Sequence, residues 1–252
     1  MNYIFACTDS NCYHDLLYQF LPSLKRDAKF DGRIVVFEYG LNKYQIDELQ
    51  KQDCEVVICE PTRDIIIPVL RLRDGAAYIA SHCAVEDRVM QIDGGDVFFQ
   101  ASLDRLFTRN ELVAATEMRP ARLIECNAML SWAPESDFAN EIISKHGDKP
   151  AVNGGMIYGP AGEILAYLNE AWLECTQGCF ANFQGADQWY LSYACYEQFF
   201  PFSYIGNNEW NYTLCCLTLG EMVRNGRVYD FAGRLVPVVH KDGRSYPDLR
   251  WT

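Results

Sequence analysis

The chain has 252 residues, 49% of them hydrophobic, enough to bury a sizeable core as one large α/β domain or two small ones. Its 34 acidic side chains outnumber 22 Lys and Arg, and the formal charge of −12 argues against non-specific nucleic-acid binding or adhesion to an anionic membrane. No segment reaches the ~18 apolar residues that a membrane span needs, and residues 1–7 lack the basic start and apolar length of a secretory signal. Eleven cysteines form no C-x-x-C pair, and Cys7/Cys12, Cys54/Cys59 and Cys175/Cys179 are poorly spaced for zinc. Reduced, buried thiols in a cytoplasmic protein are the expectation, with a disulfide-rich secreted fold as the alternative.

Residues 3–7 read as a first buried strand. The capping cluster Thr8-Asp9-Ser10-Asn11 follows, then apolar positions Leu16, Leu17, Phe20, Leu21 and Leu24 at helical spacing. Pro22 is expected to end or kink that helix. Residues 34–37 form a second strand, Asn42 opens a short helix carrying Ile46 and Leu49, and residues 56–59 form a third strand. This alternation predicts βαβ units and a mainly parallel sheet. Residues 60–74 look irregular, with Arg63, Arg71 and Arg73 as available cations, and a helix over 76–85 leads into the strand of residues 89–92.

That strand runs into Asp93-Gly94-Gly95-Asp96-Val97-Phe98-Phe99-Gln100. Two carboxylates at a strand end need a cation or water to offset their burial, and glycines let a ligand or metal approach the backbone. Taken alone, the ten residues from Gln91 favour a simple acidic turn. Leu103, Leu106 and Phe107 mark a helical turn, residues 112–115 a further strand, and residues 117–137 look irregular. Asn153-Gly154-Gly155 reads locally as a hairpin turn. Helices are expected at about 161–174 and 187–198, and a Val-rich strand at 235–239 enters His240-Lys241-Asp242-Gly243-Arg244. No repeat, linker or composition shift divides residues 1–252, so one domain is the simplest organisation.

Open α/β sheets bind ligands at the carboxyl ends of their strands, which places Thr8 and Asp9 on one edge with Asp93 and Asp96. Asp187, beside Gln188 at a predicted helix start, reads as an N-cap or a ligand contact. His240 alone would be structural. Together, carboxylates and imidazole suit Mn²⁺ or Mg²⁺ with phosphate oxygens as further ligands.

The series of motifs resembles the GT-A glycosyltransferases, which use nucleotide sugars and include glycogenin and bacterial galactosyltransferases. Those enzymes start with a nucleotide-binding βαβ half, matched by about residues 1–100. Their strand ending in a D-x-D-like motif, followed by Leu-Phe, is similar to Ile92 to Phe99 with Leu106-Phe107. Their N-[AG]-G segment is similar to Asn153-Gly154-Gly155, their acidic D-Q helix start to Asp187-Gln188, and their late metal-binding histidine to His240. Members reading D-x-R-D-V-x-F-Q with a late V-H-Q-x-D-R look closer still. The likeness is one of motif order over residues 3–244. It departs in two places: Asp93 and Asp96 are three apart rather than two, and Gly95 stands where the closer members carry Arg. Lys241, Arg244 or Arg88 are the cations left to take that place.

The resemblance implies a Rossmann-like GT-A domain with a mixed, mainly parallel sheet, its donor-sugar and acceptor half at about residues 101–252. It implies metal-dependent transfer of a sugar from a nucleotide-diphosphate sugar, UDP-type first, to a glycan or small hydroxyl acceptor. Asp96 and His240 would be metal ligands, and Asp93 a ligand or ribose contact. Thr8, Asp9 and Tyr13 would border the base and ribose, Asn153, Gly154 and Gly155 would line the donor sugar, and Lys241 and Arg244 would meet the diphosphate. Asp187 would hold sugar hydroxyls or act as base, with Gln188 beneath the anomeric carbon in a retaining enzyme. A nucleotidyltransferase-like enzyme on a similar core, or a non-catalytic carbohydrate-binding protein, are the alternatives. Aromatic residues within 189–212, Trp189, Tyr190, Phe199 and Trp210 among them, are read as an acceptor platform or as core.

Overall fold

Strand β1 (Asn2–Thr8) is apolar on both sides, as a strand in the middle of a parallel sheet must be. It pairs in parallel with β2 (Arg33–Glu38), which pairs with β3 (Glu55–Ile58). The computed structural model describes residues 1–116, 122–181, 183–205, 211–213, 223–230 and 233–240.

Between β1 and β2 the chain forms α1 (Tyr13–Asp15), a π-helical turn (Leu16–Phe20) and α2 (Leu21–Arg26). Pro22 therefore does not end the helix. It lacks an N–H and crowds the carbonyl four residues back, and the wider turn just before it accommodates both defects. Helix α3 (Lys43–Gln50) starts where expected, because Asn42 and Gln45 exchange side-chain and backbone hydrogen bonds in a capping box.

Helix α4 runs over Ile67–His82, earlier than the expected 76–85, and so takes in much of the stretch that looked irregular. Pro68 at its second position is the start signal, since proline belongs in a first helical turn. From α4 the chain enters β4 (Arg88–Asp93) on the other side of β1, then β5 (Val97–Phe99), α5 (Asp104–Phe107) and β6 (Val113–Thr116). A short 3₁₀ turn (Leu123–Glu125), α6 (Asn127–Trp132) and α7 (Asp137–His146) follow. Helix α7 lies beyond the expected elements, although Ser136 caps it by accepting from the Ala139 N–H at 3.1 Å.

Strand β7 (Val152–Pro160) corrects the hairpin reading of Asn153-Gly154-Gly155. These residues lie within one strand, antiparallel to both β4 and β6, where the β6 register shifts between Ala114 and Thr116. Helices α8 (Ala161–Thr176) and α9 (Ala186–Tyr196) lead to β8 (Ser203–Ile205) and β9 (Asn211–Thr213). A small hairpin, β10 (Val223–Arg224) and β11 (Arg227–Val228), precedes β12 (Val238–His240).

The main sheet has the order β3-β2-β1-β4-β7-β6-β8 and is mainly parallel, as expected. It runs without a break from the first half of the chain into the second through the β4–β7 pair. Side-chain alternation separates two cores. Phe5, Phe37, Tyr78, Ile79 and Trp189 pack on the α4, α8 and α9 side, whereas Ile4, Ala6, Phe20, Met90 and Phe99 pack on the other. All nine described cysteines are free thiols, and no helix among the described residues is long and apolar enough to cross a membrane.

Candidate metal centre

The chain leaves β1 toward β2 on one side and returns to β4 on the other. The carboxyl ends of β1 and β4 therefore frame a switch point, where an open α/β sheet has its crevice. Asp93 lies opposite Cys7 in that register, and alternation from Val89 turns it toward the face that α4 covers. The two glycines after it have a steric reason. A Cβ on Gly94 would come within 2.5 Å of the Cys7 carbonyl oxygen, and one on Gly95 within 2.7 Å of Cys12 Sγ. Only bare backbone lets the loop lie on the β1–α1 connection and carry Asp96 straight into β5.

A second, three-stranded sheet, β5-β12-β9, brings in the third residue. Antiparallel pairing of β12 with β5 sets His240 opposite Val97, one residue after Asp96. The His240 Nε2 atom is 3.4 Å from Asp93 Oδ2 and 3.3 Å from Asp96 Oδ1. One ligand atom from each of these residues lies within 4.8 Å of the others, so the group can hold a metal ion.

Asn153 sets the imidazole tautomer. Its Oδ1 accepts the Gly155 N–H at 3.0 Å, which identifies it as the oxygen, and it also lies 3.2 Å from His240 Nδ1. Nδ1 is therefore the donor; a protonated ring also donates from Nε2 to the two carboxylates, and a neutral ring turns its Nε2 lone pair toward them. Such lone pairs repel unless a cation lies among them. A hydrogen bond that fixes the far ring nitrogen is the usual support for a metal-binding histidine.

Arg71 is the residue that sequence reasoning left out of the site. It is 4% exposed on α4 and bonds Asp93 Oδ1 through Nη1, while Nη2 donates to the Gly154 carbonyl at 2.8 Å and to Asp187 Oδ2 at 2.9 Å. One guanidinium thus joins β4, β7 and α9. Burial pushes the Asp93 carboxyl up, but Arg71 and His240 outweigh it and hold the group below the usual carboxylate range. For Asp187, burial wins over Arg71, and the nearby Asp93 adds to the rise. With the three carboxylates ionised and the His240 ring neutral, Asp93, Asp96 and Asp187 against Arg71 leave two negative charges, which a divalent cation would balance.

Asp187 is not the N-cap of α9. Gly185 holds that position in the left-handed conformation, and the Asp187 side chain turns inward to Arg71. Gln188 packs on Gly154, where a Cβ would come within 2.9 Å of its own Cβ. A Cβ on Gly155 would fall 2.2 Å from His240 Cε1 and 2.8 Å from Asp93 Oδ2. Gly155→Ala is therefore expected to weaken divalent-metal binding at least tenfold while overpacking costs about 1–3 kcal/mol. Calorimetric titration reads this directly, and native affinity in that variant would contradict the geometry.

Thr8 is buried at the end of β1, and Asp9 accepts the Asn11 and Cys12 N–H groups, each at 2.9 Å, so it organises the turn into α1. Tyr13 packs half-buried against the second core. Arg88, read from the sequence as a cation for an expected diphosphate, lies away from the cluster. It starts β4 at the strand end opposite Asp93 and is held by the Arg109 carbonyl and Asn110. Lys241, Arg244 and Trp210 lie outside the described residues. Trp189 and Tyr190 are core, not platform, while Phe199 is exposed. A cavity of about 560 Å³ walled by Tyr196, Phe200 and Phe202 includes none of the clustered carboxylates.

No family model and no curated protein matches this chain.

Proposed function

We propose that the protein is a metal-dependent glycosyltransferase that moves a sugar from a nucleotide-diphosphate sugar, UDP-type first, to a glycan or small hydroxyl acceptor. The observation that carries the reading is the Asp93, Asp96 and His240 cluster at the switch-point crevice, tied through Arg71 to Asp187. The GT-A resemblance of the motif order, which rests largely on the same Asp93, Asp96, Asp187 and His240, points the same way. Two carboxylates and an imidazole, with no thiolate, are a donor set for Mn²⁺ or Mg²⁺. The ion would supply Lewis-acid stabilisation of the departing diphosphate.

The chain's own residues divide the remaining work. Asn153 holds the His240 ring with Nε2 facing the carboxylates, and Arg71 fixes Asp93 and Asp187 relative to each other. Asp187 would hold donor-sugar hydroxyls, or accept the acceptor's proton if the enzyme inverts. Its raised carboxyl pKa suits a base better than an ordinary aspartate would. Thr8 and Asp9 border the same edge, where ribose would lie, beside Tyr13. The free thiols fit a reducing, cytoplasmic compartment.

The test is a screen of nucleotide sugars for Mn²⁺-dependent hydrolysis or transfer, with EDTA as the control. A nucleoside diphosphate with Mn²⁺, each near 100 times its Kd, is expected to raise the melting temperature by roughly 5–10 °C. No turnover of any nucleotide sugar, together with no thermal shift, would refute the reading.

A further inference from the structure

Gln100 closes the acidic motif, yet nothing so far gives it work. It is 6% exposed, and both ends of its amide are bonded to the segment that carries His240. Its Nε2 donates to the carbonyls of Val228 at 3.0 Å and Val236 at 2.8 Å, and its Oε1 accepts the Val228 N–H at 2.9 Å. With Val228 it reproduces the reciprocal pair that two antiparallel backbones exchange. Its own backbone N–H donates to the Pro237 carbonyl at 2.8 Å, one residue before β12. Asp230 closes the loop between the two clamped valines by accepting the Arg234 N–H at 2.8 Å.

Among the described residues β12 pairs with β5 through three residues, Val238 with Phe99, Val239 with Phe98 and His240 with Val97, and with β9 through the same three. A slip of one residue would turn the His240 ring to the opposite face of this small sheet. The described ladders are short, so bonds outside them add to the definition of the register. The Gln100 side chain adds to that definition, because its three bonds fit one alignment of Val228 and Val236, the segment that the backbone bond to Pro237 leads into β12.

We propose that Gln100 is a positioning residue of the metal centre, which fixes the register of β12 and thereby aims His240 Nε2 at Asp93 and Asp96. The inference rests on the metal reading above. Leucine at this position would remove the partner of the Val228 N–H and the Gln100 bond to the Val236 carbonyl, while the Val228 carbonyl keeps the Val236 N–H at 3.1 Å, so stability falls as well. Affinity in a single variant therefore cannot separate positioning from folding, but a double-mutant cycle can.

Mn²⁺ affinity is measured by electron paramagnetic resonance for the native chain, Gln100→Leu, His240→Ala and the double variant, well below each melting temperature. Gln100→Leu is expected to bind about tenfold more weakly, and the double variant no more weakly than His240→Ala alone. If Gln100→Leu does not fold, Gln100→Asn, one methylene short of the clamp, enters the same cycle. Native affinity in the Gln100 variant, or an equal loss in both backgrounds, overturns the inference alone. Failure of the native chain to bind Mn²⁺ overturns the metal reading and this inference with it.

Discussion

Asp96→Ala is expected to lower metal-dependent sugar transfer by about three orders of magnitude with the fold unchanged. The size follows from the work assigned to the centre: stabilising charge on a leaving diphosphate is worth several kcal/mol, and each ~1.4 kcal/mol is tenfold in rate. Without Asp96 the cluster keeps one fewer donor oxygen, and its net charge no longer matches a divalent cation. The fold should tolerate the change, because the Asp96 side chain is 36% exposed and ends a loop rather than filling a core. Steady-state transfer at saturating Mn²⁺, with circular dichroism as the folding control, measures both halves. Asp93→Ala is the instructive contrast. Asp93 also bonds Arg71, so its loss should lower stability as well as turnover. Near-native turnover by the Asp96 variant would remove the metal assignment.

Much of the first half of the fold was legible because its signals are local. Asn42 and Gln45 declare a capping box within four residues, and apolar runs such as residues 34–37 need no partner to be read as buried strands. Asp93, Asp96 and His240 were legible only jointly, since each alone has an ordinary structural role. Two misreadings share one cause, distant context overriding a local rule, whereas the start of α4 and helix α7 carry local signals in Pro68 and Ser136. Asn153-Gly154-Gly155 has turn chemistry, but β4 and β6 pull it into a strand whose glycines admit Gln188 and His240. Arg71 read only as one of three available cations because its carboxylates arrive from 22 and 116 residues further along the chain. Periodicity around Val69, Leu70 and Leu72 shows that the helix is buried but cannot say what meets the one charge in that face.

Arg71→Met is expected to be the most destabilising of these single changes, by about 3 kcal/mol, because it strands a carboxylate in a nearly closed site. The Asp187 side chain is only 10% exposed, and Arg71 is the cation against it. Asp93 contributes less to the cost, since its side chain is 32% exposed and water can take up part of the charge. For a chain of this length the loss corresponds to roughly 6–12 °C in melting temperature. Arg71→Lys keeps the charge but not the planar fork that reaches β4, β7 and α9 together, so it should fall between the two. Mn²⁺ supplies a second means of neutralising Asp93, and adding it should narrow the stability gap between native and Arg71→Met chains. It should not restore transfer, because Asp187 would still lack the partner that holds it. Thermal melts of both chains with and without Mn²⁺, read beside transfer rates, separate these effects. Equal stability of the native and Arg71→Met chains would show that the guanidinium does not join the three elements as its hydrogen bonds imply.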